Sequence, residues 1–177
     1  MTPWTANPAN QGADANASNG SYDLGVQSIG DGSKEVAAGL MSWFYCTDAS
    51  SPMGQRFAAL VEYSDDWWDS AEFYTADNDM STRLWVWGQT ENTWVCQSNV
   101  QPSWSDHATW LDSHGNDPAG DAGRIAVETF FTAKANSWYQ AWVWGDARVE
   151  ADSGFGGIAA SSIQFSASVP LMVFGSL

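Results

Sequence analysis

The chain has 177 residues, enough for one domain with a real hydrophobic core, and its apolar content of 44% is typical of a folded protein. It carries 21 Asp and Glu against 6 Lys and Arg, for a net charge of −15. Phosphate binding requires clustered Lys or Arg, so we expect no nucleic-acid partner and no anionic membrane surface. This charge also creates self-repulsion that salt screens. It therefore indicates either a protein adapted to high salt or simply an acidic soluble one.

Residues 1–33 are rich in Ala, Asn, Gly, Ser and Pro, a composition that does not order by itself. We predict an extended N-terminal arm over 1–33 and a single β-sandwich domain over 34–177. The arm would be held by the body of its own domain or by a neighbouring subunit. The start of the chain lacks the charged and apolar regions of a secretory signal, and no apolar stretch is long enough for a transmembrane helix.

From residue 35 onward, apolar and polar residues alternate with a period of two, the pattern of strands with one buried face. A short helix over 35–43 is the alternative for the first of these segments. We predict an all-β, antiparallel sandwich of jelly-roll type with about eight strands, and an immunoglobulin-like sandwich second. The predicted strands are 35–47, 54–64, 70–76, 82–90, 93–100, 123–134, 137–150 and 157–174.

One passage occurs twice. "FYTADNDMSTRLWVWG" (Phe73–Gly88) and "FFTAKANSWYQAWVWG" (Phe130–Gly145) are identical at seven of sixteen positions without a gap. Each copy predicts a strand, a polar turn and a second strand, with the turns at "DNDM" (77–80) and "KANS" (134–137). Neither copy contains a His or a nucleophile with its base, so the repeat is interpreted as scaffold rather than as a catalytic site.

The repeated strands present tryptophans in pairs. Trp85 and Trp87 share one face, as do Trp142 and Trp144, because residues i and i+2 of a strand point the same way. Such a face is either a platform for sugar rings or a surface buried in the core or against a neighbour. Burial is favoured, because few of the 12 tryptophans can stay exposed on a soluble protein. These four residues, with Trp4, are the candidates for a subunit interface or a ligand face.

The segment 103–123 holds both histidines among several carboxylates, a donor set that can bind a divalent cation. The spacing matches no metal motif, so a long solvated loop near 101–122 is the favoured interpretation. A weaker calcium candidate is the pair Asp77 and Asp79. We expect no cofactor, with a structural divalent cation as the alternative. The candidate ligands are Asp106, His107, Asp112, His114 and Asp117.

Other chemistry is weakly indicated. Asp65, Asp66, Asp69 and Glu72 lie beside two tryptophans, as in glycosidases, but a charged loop anchored by aromatic rings explains them as well. The sequence contains no nucleophile elbow, Walker loop or dinucleotide-binding fingerprint. We therefore expect no enzymatic activity. Cys46 and Cys96 either pair across strands or remain free thiols.

In size, acidity, scarce lysine and inferred strand count over the whole chain, the sequence resembles the small single-jelly-roll major capsid proteins of icosahedral, internal-membrane viruses of haloarchaea. No diagnostic motif contributes, so no functional residue is carried over. The resemblance implies a virion structural protein that forms capsomers with itself and with a sister capsid protein, above a viral membrane. A decoration protein of a tailed-virus capsid and a carbohydrate-binding module that uses exposed tryptophan faces are the alternatives.

Overall fold

The computed structural model describes residues 1–6, 12–47, 53–115, 121–154 and 157–176, and none of these residues is helical. They form eleven β-strands in two antiparallel sheets that pack as a sandwich, so the all-β sandwich is confirmed. The strands are β1 (Thr2–Ala6), β2 (Gly12–Asn16), β3 (Ser21–Ile29), β4 (Gly32–Cys46), β5 (Met53–Ala71), β6 (Thr75–Gly88), β7 (Thr93–Thr109), β8 (Asp112–Gly115), β9 (Asp121–Ala133), β10 (Ser137–Asp152) and β11 (Ala159–Ser176).

The first sheet has the strand order β1-β4-β10-β6-β7, and the second has the order β2-β3-β11-β5-β8. Strand β9 also pairs with β5, over Met53–Asp65, and β8 pairs with β5 further along, over Trp68–Ala71. The arrangement is compatible with the predicted jelly roll. Among the described residues, no helix is long and apolar enough to cross a bilayer.

The hydrophobic core lies between the two sheets and follows the period-2 pattern of the sequence. Leu84, Val86 and Val143 of the first sheet are fully buried, as are Phe57 and Ile163 of the second. Complete burial of an aliphatic or aromatic side chain of this size contributes about 1.5–3 kcal/mol. The long strands therefore stabilise the sandwich along their whole length.

The N-terminal segment contributes strands to both sheets. β1 pairs with β4, β2 pairs with β3, and β3 pairs with β11 at the centre of the second sheet. Tyr22, Leu24 and Val26 are buried in the common core. The predicted boundary between an arm and a sandwich, at residues 33 and 34, lies inside β4. Over its described residues this segment thus packs on its own domain.

Several strand boundaries differ from the predictions. The segment 35–43 belongs to strand β4 rather than to a short helix. β5 continues to Ala71, beyond the predicted end at 64, and a long β6 begins at Thr75. β7 runs on to Thr109 and β8 follows, where a long loop near 101–122 was expected. Polar residues that are buried or paired inside these strands weaken the apolar alternation, and this hides the strands from a pattern search.

Candidate functional site: a tryptophan groove and an apolar end

The outer face of the first sheet carries the repeated tryptophans. Along β6, Leu84 and Val86 point into the core and are fully buried, while Trp85 and Trp87 point the opposite way and are partly exposed. Strand β10 repeats the arrangement, because Ala141 and Val143 are buried and the tryptophans beside them face outward. The tryptophans therefore lie on the surface of the sheet and not between the two sheets.

The two copies of the repeat are neighbours in the sheet. β6 and β10 pair in antiparallel register, and Trp85 lies directly opposite Trp142. Strand β1 brings Trp4 beside Gly39 of β4, and Gly39 in turn lies opposite Trp144 of β10. Strand β7 adds Trp94, which pairs with Trp87. Residues that are up to 140 positions apart in the sequence thus meet on one surface.

Five of these tryptophans line a groove of about 300 Å³. Their rings meet edge to face: Trp85 and Trp144 have centroids 4.9 Å apart at 88°, and Trp4 meets Trp144 at 5.5 Å and 81°. Trp94 contacts Trp85 at 70° and Trp142 at 70°. This is the favourable arrangement for aromatic pairs. The rings form walls that stand at steep angles to one another, and the lining consists of Trp4, Trp85, Trp94, Trp142 and Trp144.

Gly39 makes room for this groove. A Cβ atom at this position would lie 2.2 Å from Cβ of Trp144 and 2.6 Å from the carbonyl oxygen of Val143. No side chain therefore fits between Trp4 and Trp144, and the absence of one lets the two rings touch across β4. The glycine is required by close packing rather than by an unusual backbone angle.

A charged pair borders the groove. Arg83 lies over the rings of Trp144 and Trp85, at 4.8 and 5.4 Å from the centroids. Its Nε lies 2.8 Å from Asp146 Oδ1, and an Nη2–H donates to Oδ2 at 3.0 Å. Burial raises the pKa of Asp146, and the adjacent Arg83 guanidinium opposes part of that rise. Arg83 of the first copy of the repeat is thus paired with Asp146, which directly follows the second copy.

A second aromatic patch lies on the same face, near the end of β4 and the start of β10. Trp138 contacts Tyr45 at 5.0 Å and Trp43 at 6.3 Å. The three side chains are between 41% and 50% exposed. Sequence analysis did not single them out, although "SWFYC" places Trp43 and Tyr45 at alternate positions of a strand and "SWYQ" adds Trp138.

One end of the sandwich exposes large apolar side chains from four separate connections. The β5–β6 turn and the β7–β8 turn are joined by backbone hydrogen bonds, in which Leu111 N–H donates to the Glu72 carbonyl. Glu72 N–H donates to the carbonyl of Ile158 in the β10–β11 connection. Asp31 of the β3–β4 turn accepts a hydrogen bond from Ser153 N–H at 2.7 Å. The four connections therefore form one surface, which we call the apolar end.

The apolar end is the most exposed hydrophobic surface of the described residues. Leu111 is 76% exposed, Trp110 is 71% exposed, and two isoleucines are each 66% exposed. Trp110 and Leu111 also have positive φ angles of 45° and 59°, in the left-handed region that bulky residues avoid. Its large apolar side chains are Ile29, Phe73, Tyr74, Trp110, Leu111 and Ile158.

The predicted metal ligands come together only in part. His114 bridges two carboxylates, with Nδ1 at 3.1 Å from Asp106 and Nε2 at 2.9 Å from Asp112. His107 contacts Asp77 instead. Asp117 lies outside the described residues. Within the described part of the chain, no group of three or more His, Cys, Asp or Glu side chains has the geometry to hold a metal ion.

A buried polar network crosses the interior near these histidines, and sequence analysis missed it. Asn78 donates to Asp69 at 2.8 Å and accepts from Trp104 Nε1 at 3.1 Å. Asp69 and Asn78 have no exposed surface. Burial raises the pKa of Asp69, the hydrogen bond from Asn78 lowers it in part, and nearby carboxylates add to the rise. The sequence predicts a charged loop around Asp69, but the residue lies in strand β5.

The two cysteines are free thiols. Cys46 is buried at the end of β4, and Cys96 lies partly buried on β7. Cys96 Sγ lies 2.9 Å from Oγ1 of Thr129, which in turn lies 2.6 Å from Oγ of Ser98. Of the two alternatives left open by the sequence, the structure therefore shows the unpaired one.

Comparison with known proteins gives little. No protein family and no curated protein matches the sequence. A chain in the structure of infectious bursal disease virus, Gx strain, is similar with a TM-score of 0.24 and 10% identity, over 95% of this chain and 40% of that chain. The Gt strain gives a TM-score of 0.21 and 9% identity, over 99% and 42%. The chain spans about two fifths of the matched chains. A likeness at these TM-scores does not establish a shared fold.

Proposed function

We propose that the chain is a structural subunit of a virion shell that packs against further copies, and against a sister capsid protein, through its apolar end. The observation that carries the proposal is the exposure of six large apolar side chains on or directly beside four adjoining connections. Contiguous apolar surface of this kind is rare on monomeric soluble proteins and is typical of protein–protein contacts. The role proposed is structural and not catalytic.

The charge of the subunit sets the conditions for assembly. Copies with a net charge of −15 repel one another, and a Debye length of about 10 Å at 0.1 M salt falls to about 3 Å at 1 M. Association through the apolar end should therefore strengthen as salt rises. This dependence would support a halophilic setting and a shell that is stable only at high ionic strength. A viral membrane beneath the shell is a further element of the proposal.

The proposal can be tested by sedimentation velocity and electron microscopy of the purified protein from 0.1 to 3 M NaCl. We expect multimers that grow with salt, and a large loss of them in the double variant Trp110→Asn, Leu111→Asn. Asparagine tolerates the left-handed backbone of both positions, so the variant should fold. The matched control is Trp43→Asn, Trp138→Asn, which removes exposed aromatic rings at the opposite end of the first sheet.

A monomer at every salt concentration would overturn the proposal, as would equal assembly by both double variants. Closed shells formed by the protein alone would favour a major capsid role. Binding only to preformed particles would favour the decoration role.

Carbohydrate binding is the second candidate, because the repeated tryptophans do lie on the outer face. Their ring pairs, however, cross at 70° to 89°, so they do not form the flat platform on which a sugar ring stacks. A glycan array read against Trp87→Ala tests this candidate. Specific glycan binding by a salt-independent monomer, lost in Trp87→Ala, would replace the shell proposal.

A further inference from the structure

We propose that the tryptophan groove is an aromatic cage for a quaternary ammonium group, such as the trimethylammonium head of choline. The inference does not depend on the shell proposal, because the groove lies on the outer face of the first sheet and its lining shares no residue with the apolar end.

The geometry of the rings favours a round cation. An aromatic ring attracts a cation over its face, and several rings set at steep angles can direct their faces at one central point. Trp4 and Trp85 each meet Trp144, at 81° and 88°, and Trp94 meets Trp85 at 70°. The volume of about 300 Å³ is ample for a trimethylammonium group.

The chain already stabilises one cation with two of these rings. The Arg83 guanidinium lies within 4.8 Å of Trp144 and 5.4 Å of Trp85, inside the usual range of about 6 Å. Its charge is compensated by Asp146 through two contacts of 2.8 and 3.0 Å. A second cation in the groove therefore does not meet an unpaired positive charge.

Charge complementarity supports the same ligand. The chain carries a net charge of −15, and both Glu35 and Asp79 act electrostatically on Asp146 beside the groove. The field around the site is thus negative and attracts cations. A quaternary ammonium group keeps its charge at every pH and has no N–H donor that would lose a hydrogen-bond partner in an apolar groove.

The lining disfavours a sugar. Among the described residues the five lining side chains are all indoles, so the wall presents N–H donors, that of Trp142 without a hydrogen-bond partner, but no carboxylate or amide to accept from hydroxyl groups. Sites for polar ligands usually combine aromatic rings with a few placed hydrogen-bonding groups, and those groups provide the orientation. A purely aromatic wall selects for charge and shape instead.

The test compares choline chloride with 3,3-dimethyl-1-butanol, a neutral molecule of nearly the same shape, by isothermal titration calorimetry at constant ionic strength. We expect choline to bind about tenfold more tightly, the difference that a largely desolvated cation–π interaction supplies. Equal or weaker binding of choline would overturn the proposal. Binding of methyl glucoside without binding of choline would overturn it as well and would favour the carbohydrate candidate.

Variants locate the site. Trp94→Leu on the edge strand β7 should reduce choline affinity at least fivefold, while Trp110→Leu, a matched exposed tryptophan at the apolar end, should leave it unchanged. Asp146→Asn should also weaken choline by several fold and leave the neutral alcohol unaffected, because Arg83 then lacks its partner. Equal responses of choline and alcohol to Asp146→Asn would contradict the cage. The wild-type comparison decides the question even if Trp94→Leu fails to fold.

Discussion

The two copies of the repeated passage share their sequence but only half of their structure. Their C-terminal halves become β6 and β10, adjacent strands with Trp85 opposite Trp142. Their N-terminal halves differ. In the first copy "DNDM" lies within β6, whereas in the second copy "KANS" contains the turn between β9 and β10, where Asn136 has a φ of 55°.

The N-terminal halves of the two copies differ because their polar side chains form different hydrogen bonds. Asn78 of the first copy is buried and hydrogen-bonded on both sides, so the strand continues through it. The second copy has Ala135 at the matching position, followed by an asparagine that tolerates the left-handed backbone. Polar residues of similar composition therefore build a strand interior in one place and a turn in the other.

The largest loss of stability should follow a substitution on the inward face of β6, in the half of the passage whose structure the two copies share. Leu84→Ala removes a fully buried side chain between the sheets and should lower the free energy of unfolding by about 3 kcal/mol, through lost burial and a cavity. Urea unfolding at fixed salt measures this. Gln97→Ala, at an exposed position on the adjacent strand β7, should stay within about 0.5 kcal/mol of wild type. Equal losses would mean that the inward face is misassigned.

The next largest loss of stability should follow a substitution in the buried polar network of the first copy. Asn78→Ala leaves the Asp69 carboxyl and the Trp104 N–H without the partner they now share, at a cost of about 2 kcal/mol. Chemical denaturation provides the measurement, and Asn99→Ala on the surface of β7 is the control. A loss no greater than that of Asn99→Ala would show that the network does not support the strand.

In the turn of the second copy, substitution of Asn136 should change stability through the strain of its left-handed backbone. Asn136→Ala should cost about 1 kcal/mol, whereas Asn136→Gly should be close to neutral, because glycine adopts a φ of 55° without strain and alanine does not. Both variants lose the weak 3.4 Å hydrogen bond from Tyr45, so their difference isolates the backbone contribution. Thermal melting of the pair is sufficient, and identical melting temperatures would contradict the assignment of a left-handed turn.

The smallest effect should be on the pH dependence of the free energy of unfolding, whose slope should change without a large loss of stability. The pKa of Asp69 is raised in the folded protein, so its contribution to stability is complete below the unfolded value of about 3.9 and is lost as pH rises through the folded value. Asp69→Asn should therefore lose less stability than wild type between pH 4 and pH 7. Unfolding free energies at both pH values test this, and parallel curves would refute it.

The sequence predicts the sandwich well because alternation reports burial on one face. It cannot tell which face of "RLWVWG" is the inner one, because Leu84, Trp85, Val86 and Trp87 are all apolar and both faces satisfy the pattern. The sequence predicts burial of these tryptophans in the core or against a neighbour; they lie on the outer face of the sheet, where neighbouring strands add further rings to form a groove.

The strands β1 to β3 were harder to predict for another reason. β1 and β2 are short edge strands with few large side chains, and they are fixed by pairing with β4 and β3 rather than by a pattern of their own. The buried network of Asp69, Asn78 and Trp104 likewise depends on contacts between strands that are distant in sequence. Strand propensity and periodicity contain no information on such contacts.

The contact between the rings of Trp4 and Trp144 has a consequence for folding kinetics. The two rings come from the first and the tenth strand of the sequence, and they meet only when β1 has docked on β4 and β4 on β10. Contacts of such long sequence separation form late, because loop closure must precede them. The fluorescence of the groove should therefore recover in the slowest refolding phase, so this surface would report when the last strand of the sandwich has closed.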